Sequence, residues 1–397
     1  MTEKIKLAVI GVGIMGSSHA HDIANSENVA LAAVCDIDPQ RAQNAAAQYG
    51  VPGYTDYREL IRQEKLDGVL IATPHYFHTP IAIECLQQGL NVLTEKPEAV
   101  HAKDAHKMNL AYEEARKQNP NLIYAIMFQS RTYGIWLKLK EMIDGGQLGQ
   151  LVRATWIVTD WFRSQRYYDN GGWRATWRGE GGGVLLNQCP HNLDLYQWLL
   201  GLPQKVTGFA AIGKHHNIEV EDEVTAFFQH ENGMVGHFIT TTAESPGTNR
   251  FELIGDLGKV VVENSCITFT RNEQSMFDFL RTTPDLFTRV PNQVEEVPFT
   301  HHGEAGHRLV IENFAAAIRD PSTPLVAHGT EGIRALSLGN AIMLSSWLGH
   351  TVDLPLDEDL YEAHLQKLIE SSRFQKADEG PGVLYDGSGA YQRYDPK

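Results

Sequence analysis

Residues 6–36 read KLAVIGVGIMGSSHAHDIANSENVALAAVCD. Lys6 to Ile10 is a short apolar run, β-branched in part, and predicts a buried strand. Gly11, Gly13 and Gly16 follow at once. A helical segment then runs from about Ser17 to Asn25, and a second apolar run, Ala30 to Val34, leads to Asp36. In that context each glycine has a task. Gly11 makes a tight turn, Gly13 lets backbone approach a pyrophosphate, and Gly16 lets the helix pack close to the strand. Ile14 and Met15 lie at the helix N-terminus, whose N–H groups and dipole suit phosphate. Asp36 lies twenty residues past Gly16, where an acid binds both ribose hydroxyls and repels a 2′-phosphate. NAD is therefore expected over NADP, with Arg41 the nearby residue that would suit the phosphate. A glycine turn without ligand is the alternative; the order strand, turn, helix, strand, acid argues against it.

Strand and helix patterns keep alternating. Helices are predicted at Gln40 to Tyr49, Asp56 to Gln63, His78 to Gln88 and Ala102 to Gln118; strands at Gly68 to Ala72, Asn91 to Thr94 and Leu122 to Phe128. Repeated βα units imply a doubly wound parallel sheet with ligands at the strand C-terminal ends. Two of those ends are polar: Thr73-Pro74-His75-Tyr76-Phe77-His78 and Glu95-Lys96-Pro97. Proline restricts Lys96 to extended geometry, which aims its side chain into the crevice. The alternative is a surface lysine paired with Glu95 or Glu98.

A third stretch is GEGGGVLLNQCPHNLDLYQWLLG, residues 179–201. Gly181, Gly182 and Gly183 permit unusual backbone angles, and a helix-favouring run follows. Asn187 and His191, four apart, are expected on one face of that helix, with Asp194 a third polar group on the same side. Leu185, Leu186, Leu193, Leu195, Trp198 and Leu199 supply the burying surface. A histidine beside an amide can do acid–base work, or be a structural buried histidine.

Together, the three glycines, Thr73-Pro74, Glu95-Lys96-Pro97 and residues 179–201 resemble the Gfo/Idh/MocA oxidoreductase family, which includes glucose–fructose oxidoreductase and inositol dehydrogenase. The resemblance runs in order along nearly the whole chain. It implies an α/β protein: an N-terminal Rossmann domain (1–130), then an α+β substrate-binding and oligomerisation domain (131–397) with an open, mostly antiparallel sheet. It implies that Lys96 and His191 are catalytic. Asn187 stands where many members have aspartate. An amide cannot take a proton, so His191 should hold its own proton less tightly here. An even-numbered homo-oligomer, dimer or tetramer, is the family expectation.

Past Phe128 the pattern changes. Ile135 to Asp144 is predicted helical, and Val152 to Thr159 opens the second sheet. The loop WFRSQRYYDNGGWRATWRGE, residues 161–180, is rich in aromatics and arginine. Aromatic faces stack on sugars and guanidinium forks bind oxygens, so it reads as a substrate wall, with an interface loop as alternative. Its arginines raise the possibility of an anionic sugar. Antiparallel strands are predicted at Val206 to Gly213, Glu223 to His230, Met234 to Thr241, Arg250 to Ile254 and Lys259 to Glu263, with Thr270 to Pro298 irregular. Helices follow at His307 to Ile318 and Gly329 to Leu348, and a polar tail, Gly380 to Lys397, is expected to wrap a surface or a partner.

The chain has 397 residues and a formal net charge of −15, with no run of Lys or Arg. Nucleic-acid and anionic-membrane surfaces are therefore not expected. No apolar span reaches membrane length, and the start MTEKIKLAVIGVGIMG fits a strand and turn better than a signal peptide. Cys35, Cys85, Cys189 and Cys266 are scattered, which suits a reducing, cytoplasmic setting and no thiolate metal site. The pairs His215-His216 and His301-His302 lack a ligand motif, so no metal is expected.

The expected cofactor shell is Gly11, Gly13, Ile14, Met15, Gly16, Asp36, Arg41, Thr73, Pro74, His78, Glu95, Lys96 and Gln129. The expected substrate shell is Lys96, Arg131, Arg163, Tyr167, Trp173, Arg174, Trp177, Arg178, Asn187 and His191. The leading reading is an NAD-dependent dehydrogenase for a secondary hydroxyl of a sugar or cyclitol, with His191 the base, Lys96 positioning the alcohol, and Asn187 and Arg131 orienting substrate. One alternative is an NAD-dependent glycosidase that oxidises transiently, eliminates, adds water and re-reduces, with Tyr167 or Tyr168 as extra acid or base. A non-catalytic NAD sensor is the third.

Overall fold

Short apolar runs bounded by polar turns make the first sheet. The computed structural model describes residues 3–300 and 305–373. Its first strands are β1 (Ile5–Ile10), β2 (Val29–Cys35), β3 (Gly53–Tyr54), β4 (Gly68–Ile71), β5 (Asn91–Thr94) and β6 (Tyr124–Ile126). All pair in parallel, in the order β3-β2-β1-β4-β5-β6. All four residues of β4 are buried, as a parallel strand covered on both faces requires. Between the strands run α1 (Ile14–Ala24), α2 (Pro39–Tyr49), α3 (Tyr57–Gln63), α4 (His78–Gln87) and α5 (Ala102–Gln118). The boundaries of α2 are local chemistry. The Asp38 carboxylate accepts the N–H groups of Gln40 and Arg41, Pro39 occupies the first turn, and Gly50 ends the helix at φ 66°. The strand order reverses between β1 and β4, which puts the ligand crevice at the C-terminal ends of those strands.

After β6 come α6 (Gly134–Asp144), β7 (Leu151–Val158), α7 (Gln165–Asp169) and α8 (Pro190–Leu200). Six strands follow: β8 (Lys205–Ile212), β9 (Glu221–Gln229), β10 (Val235–Thr241), β11 (Asn249–Gly255), β12 (Gly258–Glu263) and β13 (Cys266–Asn272). The remainder is α9 (Met276–Thr282), β14 (Asn292–Glu296), α10 (His307–Arg319), α11 (Gly332–Leu348), β15 (Val352–Asp353) and α12 (Glu358–Ser371). The second sheet runs β14-β13-β12-β11-β7-β10-β9-β8-β15. It is antiparallel except for β7 beside β10. Alternation buries one face, where Trp156, Phe228, Phe238 and Phe251 form the core. Trp136 of α6 closes over it, 5.2 Å from Trp156.

Two features depart from the sequence reading. The stretch expected to be irregular, Thr270 to Pro298, holds α9 and β14. Every residue of β14 is exposed, so no burial alternation marks it; pairing with β13 defines it. And α10 crosses the division expected at residue 130. Its Val310, Ile311 and Phe314 pack with Leu7, Val9, Ala20 and Ile23 of the first domain. His301, His302 and the tail from Gly380 lie outside the described residues.

Candidate active site

At the end of β1, Gly11 takes φ +89°. A Cβ there would lie 2.7 Å from the Ala72 carbonyl oxygen, and a Cβ on Gly16 would lie 1.7 Å from the Gly11 oxygen. Both are glycine because backbone passes backbone too closely for anything else. At Gly13 a Cβ would meet nothing within 4 Å, no side chain caps α1, and Ile14 is 40% exposed. The start of α1 thus has no side-chain cap, and the surface at Gly13 and Ile14 is open. The Val12 N–H donates to Asp36 Oδ2 (2.9 Å) and the Asp38 N–H to Oδ1 (3.0 Å), which fixes that acid beside the turn. Glycine turn, uncapped helix and acid together fit a dinucleotide's pyrophosphate and ribose diol. Arg41 lies 3.5 Å from Asp38 with its side chain largely exposed.

Where β4 and β5 end, two turns meet. His78 was expected on the cofactor, but it is buried and its ring nitrogens lie 2.8 Å from the Pro97 and Thr73 oxygens. It ties the two turns together and has no nitrogen left for a ligand. Thr73 Oγ1 is buried with no partner. Glu95 is also buried; its carboxylate contacts His19 Nε2 (2.7 Å) and accepts the Lys96 N–H (3.0 Å). Burial works against its charge, but the His19 bond and the Lys96 charge hold it well below the usual carboxylate range. The Lys96 ammonium donates to the Asn187 carbonyl oxygen (2.9 Å). Burial lowers its pKa, and Arg174 and Arg163 push the same way against the pull of Glu95 and Glu180.

The triple-glycine segment departs from expectation. Asn187 and His191 do not share a helix: α8 begins at Pro190, and residues 183–189 form turns. Proline lacks an N–H and clashes with a carbonyl four residues back, so it starts this helix rather than continuing one. His191 follows in the first turn. Its Nε2 accepts from Gln129 Nε2 (3.1 Å), its Nδ1 is buried without a partner, and Gln129 Oε1 is likewise orphaned. Burial, then the Lys96 charge, holds His191 well below the ordinary histidine range. The Asn187 amide donates to Glu180, whose other carboxylate oxygen accepts the Ala175 N–H (2.5 Å).

Glu221, at the start of β9, secures this segment from behind. Its carboxylate accepts the N–H groups of Gly183 (2.8 Å) and Leu185 (3.0 Å). A Cβ on Gly183 would lie 2.0 Å from the Glu221 carbonyl oxygen, so the approach requires glycine. Burial pushes the Glu221 carboxyl from 4.5 up to about 7, against the pull of those N–H groups. The folded protein therefore binds this proton more tightly than the unfolded chain. The resulting stability is complete below pH 4.5 and declines by about 3 kcal/mol as pH rises to about 7. Urea unfolding across that window checks it: the stability difference between wild type and Glu221→Gln shrinks by that amount, and a constant difference would disprove the coupling.

Four expected site residues are elsewhere engaged. Arg131 was expected to orient substrate. Its guanidinium is 3% exposed and donates to both Asp194 oxygens (2.6 and 2.8 Å) and to Glu331 (2.7 Å). Asp194 is consequently part of a buried ion pair and not a neighbour of His191's chemistry. Trp177 is in the core, edge-on to Trp347 at 6.0 Å. Arg178 is exposed and donates to the carbonyl of Ser372 (3.3 Å), past the end of α12. Tyr168 is buried and donates to Thr242 Oγ1 (2.7 Å), which removes it as an acid or base facing substrate. Trp173, Arg174, Tyr167 and Arg163 remain together, and Tyr167 accepts from Gln188, the neighbour of Asn187. Glu180, Glu221 and Gln188 escaped the sequence reading, because acids and amides in a loop or at a strand start read as surface groups.

Among the described residues no group of three His, Cys, Asp or Glu is placed to hold a metal ion, and no helix is long and apolar enough to cross a membrane. His215 lies 2.8 Å from Glu223 and His216 3.0 Å from Asp222. The four cysteines are free thiols.

Residues 5–120 match the model of the oxidoreductase family with an NAD-binding Rossmann fold, and residues 136–261 that of the GFO/IDH/MocA C-terminal domain. The chain belongs to the Gfo/Idh/MocA oxidoreductase family. Inositol 2-dehydrogenase of Salmonella typhimurium is 34% identical over 37% of this chain; the match spans 43% of that relative, less than half its length. The scyllo-inositol 2-dehydrogenase (NAD(+)) of Bacillus subtilis is 23% identical over 82% of this chain and 90% of its own. Among solved structures, the WlbA dehydrogenase of Bordetella pertussis in complex with NADH and UDP-GlcNAcA superposes with a TM-score of 0.75 at 28% identity. That match covers 89% of this chain and all of the other. In this Gfo/Idh/MocA protein the Rossmann region is thus the NAD-binding domain, and the family's C-terminal domain model runs from α6 into β12, with most of the mixed sheet.

Proposed function

We propose that this protein oxidises a secondary hydroxyl of a sugar, sugar derivative or cyclitol, with NAD as acceptor. One observation carries the reading. Lys96, from the end of β5, bonds the Asn187 carbonyl four residues before His191, which lies in the first turn of α8 and meets Gln129, and several buried polar atoms around them are unsatisfied. Buried Thr73 Oγ1 and Gln129 Oε1 without partners mark a place that a polar ligand completes. Relatives named for inositol oxidation and for NADH complexes support it.

Bound NAD would take up the hydride from the carbinol carbon. This chain's residues do the rest. Gln129 Nε2 donates to His191 Nε2, so that ring nitrogen carries the lone pair. Burial keeps the ring neutral near pH 7, ready to accept the substrate's hydroxyl proton at Nε2 in place of the amide's. The Lys96 ammonium, held by the Asn187 carbonyl, donates to the same oxygen and stabilises its developing charge. Asn187 acts through its backbone and through Glu180. An amide at this position therefore leaves the proton path to His191 alone.

Incubation with NAD and a panel of sugars, cyclitols and aryl glycosides tests the reading. Accumulating NADH with a stoichiometric ketone is the expected result. Aglycone release without net NADH would replace it with the transient-oxidation glycosidase.

A further inference from the structure

Among the described residues, the loop between β7 and α8 holds two guanidinium groups with no acid against them. Arg174 stacks between the rings of Trp173 (4.6 Å) and Tyr167 (4.8 Å) and donates to the Tyr167 hydroxyl (2.9 Å). Arg163 lies over Tyr167 at 5.1 Å and donates to the Phe162 carbonyl (2.9 Å). Among the described residues neither meets a carboxylate. The other described arginines without one, such as Arg62, Arg116 and Arg334, are exposed, whereas these two are part-buried; Arg58, Arg153, Arg250 and Arg271 each sit on a carboxylate. Cation–π contacts and the Tyr167 and Phe162 oxygens hold them in place of a counter-ion.

Contacts tie this pair to the reacting groups. The Tyr167 oxygen accepts from Gln188 (3.1 Å), next to Asn187. Trp173 packs edge-on to His75 (5.2 Å), and His75 Nδ1 lies 3.2 Å from the Glu180 carbonyl oxygen. Both arginines act on the Lys96 charge, which places them within electrostatic range of it. The two acids in that range are already engaged: Glu95 by His19 and the Lys96 N–H, Glu180 by Asn187 and the Ala175 N–H.

The donor count decides what this surface recognises. Arg174 and Gln188 both donate to the Tyr167 oxygen, so its own proton is left to give; against the spare N–H groups of two arginines, Gln188 Oε1 is an orphan acceptor beside it. Beyond the Tyr167 and Phe162 oxygens the arginines have N–H groups to spare. A neutral hydroxyl wants both a donor and an acceptor, whereas an anionic oxygen wants donors only. We propose that the substrate of this site carries an anionic group, a carboxylate or a phosphate, seated between Arg174, Arg163 and the Tyr167 hydroxyl. This rests on the sugar-oxidation reading above and names the class of sugar.

The test uses the full chain loaded with NAD and matched neutral, uronic-acid and 6-phosphate forms of glucose, galactose and mannose. NADH formation and calorimetric binding are both read. In wild type, kcat/KM for one anionic form exceeds its neutral partner by about 30-fold or more. Which form wins separates carboxylate from phosphate. Arg174→Gln collapses that ratio to near one, chiefly through KM, and Arg174→Lys restores part of it. The proposal is overturned if neutral forms are preferred, or if the ratio survives in an Arg174→Gln protein with unchanged circular dichroism. If no sugar yields NADH but an anionic form still binds in an Arg174-dependent way, the anion site stands and the oxidation reading falls. If no anionic form reacts or binds, the proposal falls.

Discussion

Lys96→Ala is expected to lower kcat by about 10³-fold while NAD affinity stays nearly unchanged. The ammonium is the donor positioned for oxygen charge that develops only during the reaction, so its loss appears in turnover and not in cofactor binding. The glycine turn and Asp36, which we propose hold the dinucleotide, follow β1 and β2, whereas Lys96 follows β5. Stopped-flow turnover with fluorescence titration of NADH checks both halves. Turnover within tenfold of wild type would remove Lys96 from the chemistry, and parallel loss of cofactor affinity would make it a binding residue. Lys96→Arg is expected to rescue little, because a planar fork cannot replace a point donor held by the Asn187 carbonyl.

Arg131→Met is expected to destabilise the protein by about 3–5 kcal/mol. Asp194 has no exposed surface, and its two oxygens take the Arg131 fork; Gln197 supplies one further donor. Removing the guanidinium leaves a buried carboxylate whose burial already raises its pKa. Urea denaturation measures the loss. The double variant Arg131→Met with Asp194→Leu is expected to regain most of it, since a well-packed apolar pair replaces a buried ion pair at little cost. If Arg131→Met kept full stability and raised only KM, the residue would belong to substrate binding after all.

The division between these two residues shows how far the sequence could be read. Lys96 was legible because its neighbours are local: an apolar strand before it and a proline after it place the side chain at a strand end. The glycine turn was legible for the same reason. Arg131 was not, because its partner is Asp194, 63 positions away, and nothing in either segment announces the pair. Trp177 and Arg178 were misread by composition. An aromatic, arginine-rich loop reads as one surface, yet Trp177 turns into the core while Arg178, the next residue, turns outward to the C-terminal helix. The start of α8 was the reverse case. Pro190 stands in the sequence as a helix-start signal, but Leu185 and Leu186 extended the apolar run past it and suggested a longer helix.

Short-range stereochemistry therefore accounts for the α/β class, the parallel sheet with its dinucleotide turn, and the lysine at the mouth of the crevice: each needs only strand period, glycine spacing and a proline within a few residues. The distribution of charge inside the second domain was settled by packing. Arg131 and Arg174 are the same residue type in loops of similar composition. One is enclosed where a bare charge must be paired, while the other is part-buried against two aromatic rings and pairs with no carboxylate among the described residues. Burial is a property of the assembled layers, and the energetic demand for a partner comes only with burial.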